Sequence, residues 1–265
     1  MDLTYLKNNA GVAKKYCAGI TNSFKYMLLV YSSSSKQLRK LTGERSFRLN
    51  FIFPEPVGRI KLKLRNNRGS DSFIFSELFL HKYYDFKMIS KPDTILDLGA
   101  NIGLTALFWS RVYPDSALAC VEPMPNNLEV LKWNLRQNDV KATLIEGAVA
   151  VEDGEIFMEV AEKDYGHQIA TNPVGNQNVI KVKAFSMNSI LEKLEWPHIG
   201  LLKIDIEGYE TYLLKNNCDW LFKVDYIIIE IHDASMKAEL EQMAEKYGFA
   251  RPMDVNGLWH LARIK

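Results

Sequence analysis

Residues 94–103 read TILDLGANIG, an apolar run that contains one carboxylate, Asp97, and leads into a turn built from Gly99, Asn101 and Gly103. The pattern of a helix follows directly. A strand, a tight glycine turn and a helix in this order let the backbone approach a bound cofactor closely. The stretch therefore predicts a cofactor-binding turn at Gly99, Asn101 and Gly103.

A second apolar run, Ala117–Val121, ends on Glu122 about twenty residues later. An acidic residue that closes the second strand of such a unit can accept hydrogen bonds from the two hydroxyls of a ribose. Glu122 is therefore predicted to bind the ribose of a nucleoside cofactor.

The turn differs from the NAD fingerprint, which requires three glycines spaced G-x-G-x-x-G. Leu104 occupies the place of the third glycine, and Asp97 would repel a pyrophosphate. The same carboxylate would favour a cationic group, such as the ammonium of an amino acid. These features predict S-adenosylmethionine as the cofactor, and an NAD-dependent oxidoreductase is the alternative.

From residue 94 onward, strands alternate with helices, which indicates an α/β fold with a mostly parallel sheet. The predicted strands are 94–98, 117–121, 142–146, 200–206 and 225–231, with an extra hairpin of 155–160 and 179–185. The predicted helices are 103–112, 126–137, 187–194, 209–216 and 236–247. A last strand is predicted over 257–264.

The first 90 residues have a different pattern, so we predict an N-terminal extension over 1–90 and a catalytic domain over 91–265. Residues 2–30 indicate two short helices, the second capped near Asn22 or Ser23. The alternating segments 46–53 and 59–64 predict a β-hairpin. A helix capped by Asp71 or Ser72 is predicted to run to Tyr83.

Ligands of open α/β sheets bind beyond the carboxyl ends of the strands. The fourth strand ends with Asp205 and Glu207, and the fifth ends with Glu230 and His232. If these strands are neighbours, the four side chains converge. Asp205 is the first candidate for a general base that takes a proton from an acceptor hydroxyl, and His232 is the second.

Three further expectations concern the strand ends. Carboxylates at 205, 207 and 230 could hold Mg²⁺, but their short spacing makes a metal the disfavoured alternative. The turn after the third strand contains Gly147 and Ala148, which are further candidates to bind the cofactor. In the fourth strand, an ion pair between Lys203 and Asp205 or Glu230 is the structural interpretation of the buried charges.

Four motifs together resemble the FkbM family of S-adenosylmethionine-dependent methyltransferases. They are D-L-G-A-N-I-G at 97–103, V-E-P-M-P-N-N at 121–127, N-L-R-Q-N at 134–138 and K-I-D-I-E-G-Y-E at 203–210. The resemblance covers roughly residues 70–235. It implies a Rossmann-like class I methyltransferase fold that ends in an antiparallel strand, with Gly147 and Ala148 in contact with the adenine. It further implies methylation of a hydroxyl on a natural product, sugar or glycan. It also implies that Glu77 and Tyr84, with Tyr83 as the alternative, lie at the methionine end of the cofactor.

Composition limits the remaining classes of protein. A net charge of +1 argues against binding to nucleic acid through a global basic field. Three cysteines without a C-x-x-C pair favour a reducing compartment, and no apolar run is long enough to cross a bilayer. We therefore predict a cytoplasmic protein without an integral membrane segment. The oligomeric state stays open, with a homodimer as one option. A non-catalytic cofactor-binding module of the same fold is a further alternative to an enzyme.

Overall fold

The computed structural model describes residues 3–35, 37, 39–40, 43, 45–84, 86, 88, 90–160, 168–169, 178–232 and 236–264. Its α-helices are α1 Leu3–Tyr16, α2 Ile20–Ser34, α3 Ser70–Phe75, α4 Leu104–Val112, α5 Pro125–Gln137, α6 Met187–Leu194, α7 Glu210–Lys215 and α8 Lys237–Lys246. Its first strands are β1 Ser46–Ile52, β2 Arg59–Arg65, β3 Thr94–Leu98, β4 Ala117–Glu122, β5 Thr143–Glu146 and β6 Ala148–Ala150. The later strands are β7 Gly154–Glu159, β8 Gln168–Ile169, β9 Val179–Ser186, β10 Leu201–Ile204, β11 Tyr226–Glu230, β12 Met253–Val255 and β13 Leu258–Ala262.

The central sheet has the strand order β12-β13-β11-β10-β3-β4-β5. The five strands from β5 to β11 pair in parallel, whereas β13 pairs antiparallel with β11. This confirms the predicted Rossmann-like class I methyltransferase fold and its antiparallel last strand. It also confirms that the fourth and fifth predicted strands, β10 and β11, are neighbours.

The inner strands are nearly continuous apolar runs because helices cover both faces of the sheet. All five residues of β3 and all four of β10 are buried. The connections reverse direction between β3 and β10, so a crevice opens beyond the carboxyl ends of these strands. The predicted extra hairpin is also present, because β7 pairs antiparallel with β9.

The N-terminal extension packs against one face of the central sheet. β1 and β2 form the predicted antiparallel hairpin, and their buried side chains share one hydrophobic core with those of α4 and α5. Phe75 and Phe79 stand between the two parts, with ring centroids 4.7 Å from Phe51 and 6.3 Å from Phe108, respectively. The division of the chain at residue 90 stays a prediction.

Two predicted helix starts in the extension are wrong. α2 begins at Ile20, after Gly19, because the Asn22 side chain binds Asn50 of β1 instead of capping the helix. α3 begins at Ser70, because the Asp71 carboxylate accepts hydrogen bonds from Arg65.

The helix predicted to reach Tyr83 also differs. A π-helical turn, Ser76–Leu80, follows α3 directly and ends the helix at Leu80. Tyr83 therefore lies beyond the helix. Strands β6, β8 and β12 were not predicted, because none is longer than three residues.

Candidate active site

The turn after β3 brings the main chains of two strand ends into contact. Gly99, Asn101 and Gly103 all have positive φ, at 77°, 49° and 78°. A Cβ atom on Gly99 would lie 1.8 Å from the carbonyl oxygen of Asp205, so only glycine fits there. The turn predicted to approach a cofactor therefore also fixes the end of β10.

Glu122 closes the other side of this turn. Its carboxylate accepts hydrogen bonds from the Asn101 N–H at 2.8 Å, the Met124 N–H at 2.9 Å and the Asn127 Nδ2 at 3.2 Å. Burial raises the pKa of Glu122, and these three hydrogen bonds oppose the shift. A carboxylate has about four acceptor positions, so one stays available to a ligand hydroxyl.

A cleft of about 590 Å³, including its open mouth, begins at Glu122; we call it the Glu122 cavity. One wall is apolar and the other is polar. Its apolar lining consists of Val121, Pro123, Met124, Ala148, Val149, Met158, Ile169 and Ile206. Ala148 lines this cavity, and its contact with an adenine stays a prediction. A Cβ on Gly147 would meet the Lys183 carbonyl oxygen at 2.7 Å. The structure explains Gly147 by packing against β9.

A second cleft of about 1170 Å³, the Glu230 cavity, lies on the other side of the turn. It brings together residues from the extension, from three strand ends and from the last hairpin. Its charged and aromatic lining residues are Phe73, Glu77, Tyr83, Tyr84, Lys203, Asp205, Glu207, Glu230 and His232. Gly99, Asn101, Asp205 and Glu207 line both cavities.

A buried ion pair lies beneath the turn. The Lys203 Nζ is 3.1 Å from Asp97 Oδ1 and 3.2 Å from Asp205 Oδ2, and it donates a hydrogen bond to the Gly99 carbonyl oxygen at 3.0 Å. Burial would lower the pKa of Lys203, but Asp205 and Asp97 outweigh it and raise that pKa. The Lys203–Asp205 pair was predicted; the contact with Asp97 was not.

Asp97 was expected to face a cationic ligand. Its side chain is fully buried, at 0% exposure, and Lys203 lies against it from the neighbouring strand. Burial raises the pKa of Asp97, and Lys203 opposes that shift. The structure thus gives Asp97 a protein cation as its partner, and direct contact with a cofactor stays a prediction.

His232 is held between carboxylates at the end of β11. Its Nδ1 lies 3.1 Å from Glu210 Oε1, its Nε2 lies 3.3 Å from Glu207 Oε2, and Glu230 Oε1 is 3.9 Å from Nε2. The hydrogen bond with Glu210 raises the pKa of His232 to about 9, against the effect of burial. His232 therefore carries a proton at neutral pH.

Three of the four predicted strand-end groups meet closely. Asp205, Glu207 and His232 each offer a ligand atom, and these atoms lie within 4.8 Å of one another. The set predicted for Mg²⁺ contained Glu230, so the cluster in the structure differs by one member. Its imidazole already has two carboxylate partners, Glu207 and Glu210.

Two glutamates that line the Glu230 cavity, Glu77 and Glu230, have raised pKa values. Burial, together with the charges of Glu230 and Asp205, raises the pKa of Glu77 to about 7. Burial and the charge of Asp205 raise the pKa of Glu230 to about 7 as well. Burial raises the pKa of Tyr84 well above its ordinary value, and the ring packs edge-on against Trp109 at 5.6 Å.

Several lining residues were not identified in the sequence. Glu210 is buried, and its carboxylate accepts hydrogen bonds from the Ile206 and Gly208 N–H groups. These bonds fix the carboxylate that contacts His232 Nδ1. Glu210 is the last letter of the motif K-I-D-I-E-G-Y-E, which was the available signal. Asn256 and Gly257 reach the site through the β12–β13 turn. The long polar segment 161–178 is predicted from its sequence to be a substrate lid, with His167 as a possible substrate contact. His167 and most of this segment lie outside the described residues.

The parallel sheet with an antiparallel β13, and the two joined cavities at its carboxyl edge, define a class I methyltransferase-type fold. The model of the methyltransferase FkbM domain matches residues 97–250. The chain belongs to the FkbM methyltransferase family.

Relatives with known names support this placement. Methyltransferase sdnD of Sordaria araneosa is 26% identical over 211 residues, covering 67% of this chain and 81% of that protein. The 31-O-demethyl-FK506 methyltransferase FkbM of Streptomyces tacrolimicus is 24% identical over 228 residues, covering 69% and 83%. Hexuronic acid methyltransferase AglP of Haloferax volcanii is 26% identical over 142 residues, covering 54% and 57%.

Among solved structures, methyltransferase FkbM from Methylobacillus flagellatus KT superposes with a TM-score of 0.49 at 12% identity. The superposition covers 97% of this chain and 59% of that one. Within the described ranges, no helix combines the length and the apolar character needed to cross a bilayer.

Proposed function

We propose that this methyltransferase moves a methyl group from S-adenosylmethionine to a hydroxyl oxygen of a small-molecule or glycan acceptor. The observation that carries the proposal is the wall shared by the Glu122 cavity and the Glu230 cavity. Asp205 is one of the residues that line both cavities at this wall. A donor in the first pocket and an acceptor in the second would meet at this wall.

The residues present fit this cofactor. The apolar wall with Met124 and Val149 suits an adenine ring, and Glu122 suits a ribose hydroxyl. Carboxylates of Asp205 and Glu207 favour a positively charged ligand. When bound, S-adenosylmethionine supplies an electrophilic methyl group on a sulfonium.

The protein's own contribution is to hold the acceptor oxygen in line and to receive its proton. Such positioning accounts for much of the rate enhancement in reactions of this kind. Asp205 is the first candidate for the group that accepts the hydroxyl proton, because it lines both cavities. Glu230 is an additional candidate, because a base with a pKa near the working pH is the most effective.

His232 has a different role in this proposal. An imidazole that already carries a proton cannot accept another, so its raised pKa argues against the general-base role predicted from the sequence. We propose that His232 orients Glu207 through their 3.3 Å contact. Because the two imidazole nitrogens are satisfied by carboxylates, we expect full transfer activity after dialysis against EDTA.

Oxygen as the accepting atom is supported by a relative, since the name 31-O-demethyl-FK506 methyltransferase specifies an oxygen-bound methyl group. A cytoplasmic location stays a prediction from the cysteine content, and all three cysteines are free thiols in the structure.

The cofactor is tested by binding. We expect S-adenosylhomocysteine, but not NADH, to raise the unfolding free energy by about 2.7 kcal/mol at a concentration of 100 times its Kd. Glu122→Ala should weaken this binding by roughly 10- to 100-fold in calorimetry, because hydrogen bonds to a charged group are worth about 1.5–3 kcal/mol.

Glu146→Ala is the matched control. Glu146 pairs in register with Glu122 on the next strand but is 55% exposed and contacts Lys132. The affinity of the Glu146→Ala variant for S-adenosylhomocysteine should equal that of the wild type. Stabilisation by NADH alone would contradict the proposal, and tight cofactor binding without transfer to any hydroxylated acceptor would favour a non-catalytic module.

A further inference from the structure

The charges around the Glu230 cavity are unequal. Among the residues that the structure describes, four carboxylates line it, namely Glu77, Asp205, Glu207 and Glu230, and two more, Asp97 and Glu210, lie buried next to the lining cations. The cations of the described lining are Lys203 and His232. Above about pH 7, where Glu77 and Glu230 are ionised as well, these described groups carry six negative and two positive charges.

Both cations are already engaged by the protein. Lys203 is in contact with Asp97, Asp205 and the Gly99 carbonyl oxygen. His232 lies between Glu207 and Glu210. Each described cation of the lining therefore already has at least two carboxylate partners. A carboxylate on an acceptor would have to compete with these partners for the cation.

The wall offers hydrogen-bond acceptors in excess of donors. An ionised carboxylate accepts hydrogen bonds and donates none, so the groups it can bind directly are O–H and N–H donors. Phe73, which is 50% exposed, and Tyr83 add aromatic surface to the same cavity. Hydroxyl groups around an apolar ring face would satisfy both features.

Bound S-adenosylmethionine carries one net positive charge, which does not balance this excess. Burial and, after it, the charge of Glu230 raise the pKa of Glu77, so the two carboxylates repel each other when both are ionised. A further anion placed among them would experience the same repulsion.

We infer that the acceptor is an uncharged polyhydroxylated molecule, such as a neutral sugar ring, and that the carboxylates of Glu77, Glu207 and Glu230 exclude acidic sugars from this cavity. The inference rests on the proposed methyl transfer and adds the charge of the substrate to it.

The test compares acceptor pairs that differ in a single group. Methyl hexosides of the gluco, galacto and manno series are each paired with the corresponding methyl uronoside, and transfer of labelled methyl from S-adenosylmethionine is measured. We expect kcat/KM for the neutral member to be higher by about 10- to 100-fold, the effect of one like charge at roughly 6–8 Å in a site of effective dielectric constant about 20.

Further measurements test whether the carboxylates of the Glu230 cavity cause the preference for neutral acceptors. Glu77→Gln should narrow the ratio between the neutral and the acidic member by at least about threefold, since it removes one charge and keeps the shape. Glu155→Gln, an exposed residue that lies outside both cavities, should leave the ratio unchanged. Raising the salt concentration should narrow the ratio in the wild type, because ions screen the repulsion.

The outcomes are decisive for each claim. Equal or faster transfer to the uronosides would overturn the inference, and so would a ratio that Glu77→Gln and salt do not move. Transfer to none of the neutral hexosides while S-adenosylhomocysteine still binds would also overturn it and leave the cofactor assignment intact. Loss of cofactor binding itself would instead contradict the proposed function.

Discussion

At the scale of single residues, the site depends on which carboxyl groups are ionised. Glu230 and Glu77 have pKa values raised to about 7, and His232 has a pKa raised to about 9. A general base must be deprotonated to accept a proton, and His232 must be protonated to hold Glu207. Between these two values, both conditions are met.

We therefore predict a bell-shaped dependence of kcat/KM on pH, rising through about 7 as Glu230 ionises and falling through about 9 as His232 loses its proton. Bell-shaped profiles report the essential base and acid of the free enzyme. The measurement is the initial rate of methyl transfer at subsaturating acceptor.

Two variants test which carboxyl group causes the acidic limb of this profile. Glu230→Gln should lower kcat/KM and abolish the acidic limb, whereas Asp205→Asn should lower kcat at every pH. If the acidic limb persists in Glu230→Gln, the limb is assigned to Glu77 instead. A profile that is flat from about pH 6 to about pH 10 would contradict a role for Glu230 and His232 in the reaction.

At the scale of elements, side chains rather than a strand cover the open edge of β2. The N–H groups of Lys61, Lys63 and Arg65 donate to Asn138 Oδ1 at 2.8 Å, Asn134 Oδ1 at 2.7 Å and Asp71 Oδ2 at 2.7 Å, respectively. Asn138 also donates to the Lys61 carbonyl oxygen at 2.7 Å. An exposed edge would be open to pairing with other chains, and these contacts close it and attach the extension to α5.

We predict that Asn138→Ala lowers the free energy of unfolding by about 1–3 kcal/mol, because the partly buried N–H and carbonyl groups of Lys61 lose these partners. Urea unfolding followed by circular dichroism measures the change. Asn216→Ala is the control, since Asn216 is half-buried and its side chain donates one exposed hydrogen bond, to the Tyr212 carbonyl oxygen. Equal effects of the two substitutions would show that the edge contacts contribute little.

At the scale of the whole molecule, the extension and the catalytic sheet share one hydrophobic core. Leu49, Phe51 and Ile60 of the β-hairpin belong to the same buried cluster as Leu107 and Leu131 of the helices on the sheet. Glu77 and Tyr84 come from the extension as well, so one side of the Glu230 cavity depends on this packing. Folding of the extension and formation of the site are therefore coupled.

We predict a single unfolding transition in calorimetry, with equal van't Hoff and calorimetric enthalpies. Phe79→Ala, which removes a ring between the two parts, should lower stability by about 3–5 kcal/mol and keep the transition single. Phe222→Ala, at an exposed aromatic residue, should change stability much less. Two resolved transitions would mean that the extension folds independently.

The sequence predicted the elements of the sheet because their patterns are local. Strand β3 and helix α6 have the predicted bounds, and the other predicted core strands differ by one or two residues at an end. The helix start at Asn22 was wrong because Asn50, which is distant in sequence, binds that side chain. The start at Asp71 was wrong because Arg65 of strand β2 binds its carboxylate. Local propensity does not contain such contacts.

By itself, the sequence determined the fold class, the glycine turn, the family and the strand ends that carry Asp205, Glu207, Glu230 and His232. Periodicity and motif spacing carry this information along the chain. Only the tertiary structure decided the states of these groups: Lys203 neutralises Asp97, Glu210 keeps His232 protonated, and Glu77 and Glu230 repel each other. Acidity depends on burial and on charges a few ångströms away, which residues distant in sequence supply.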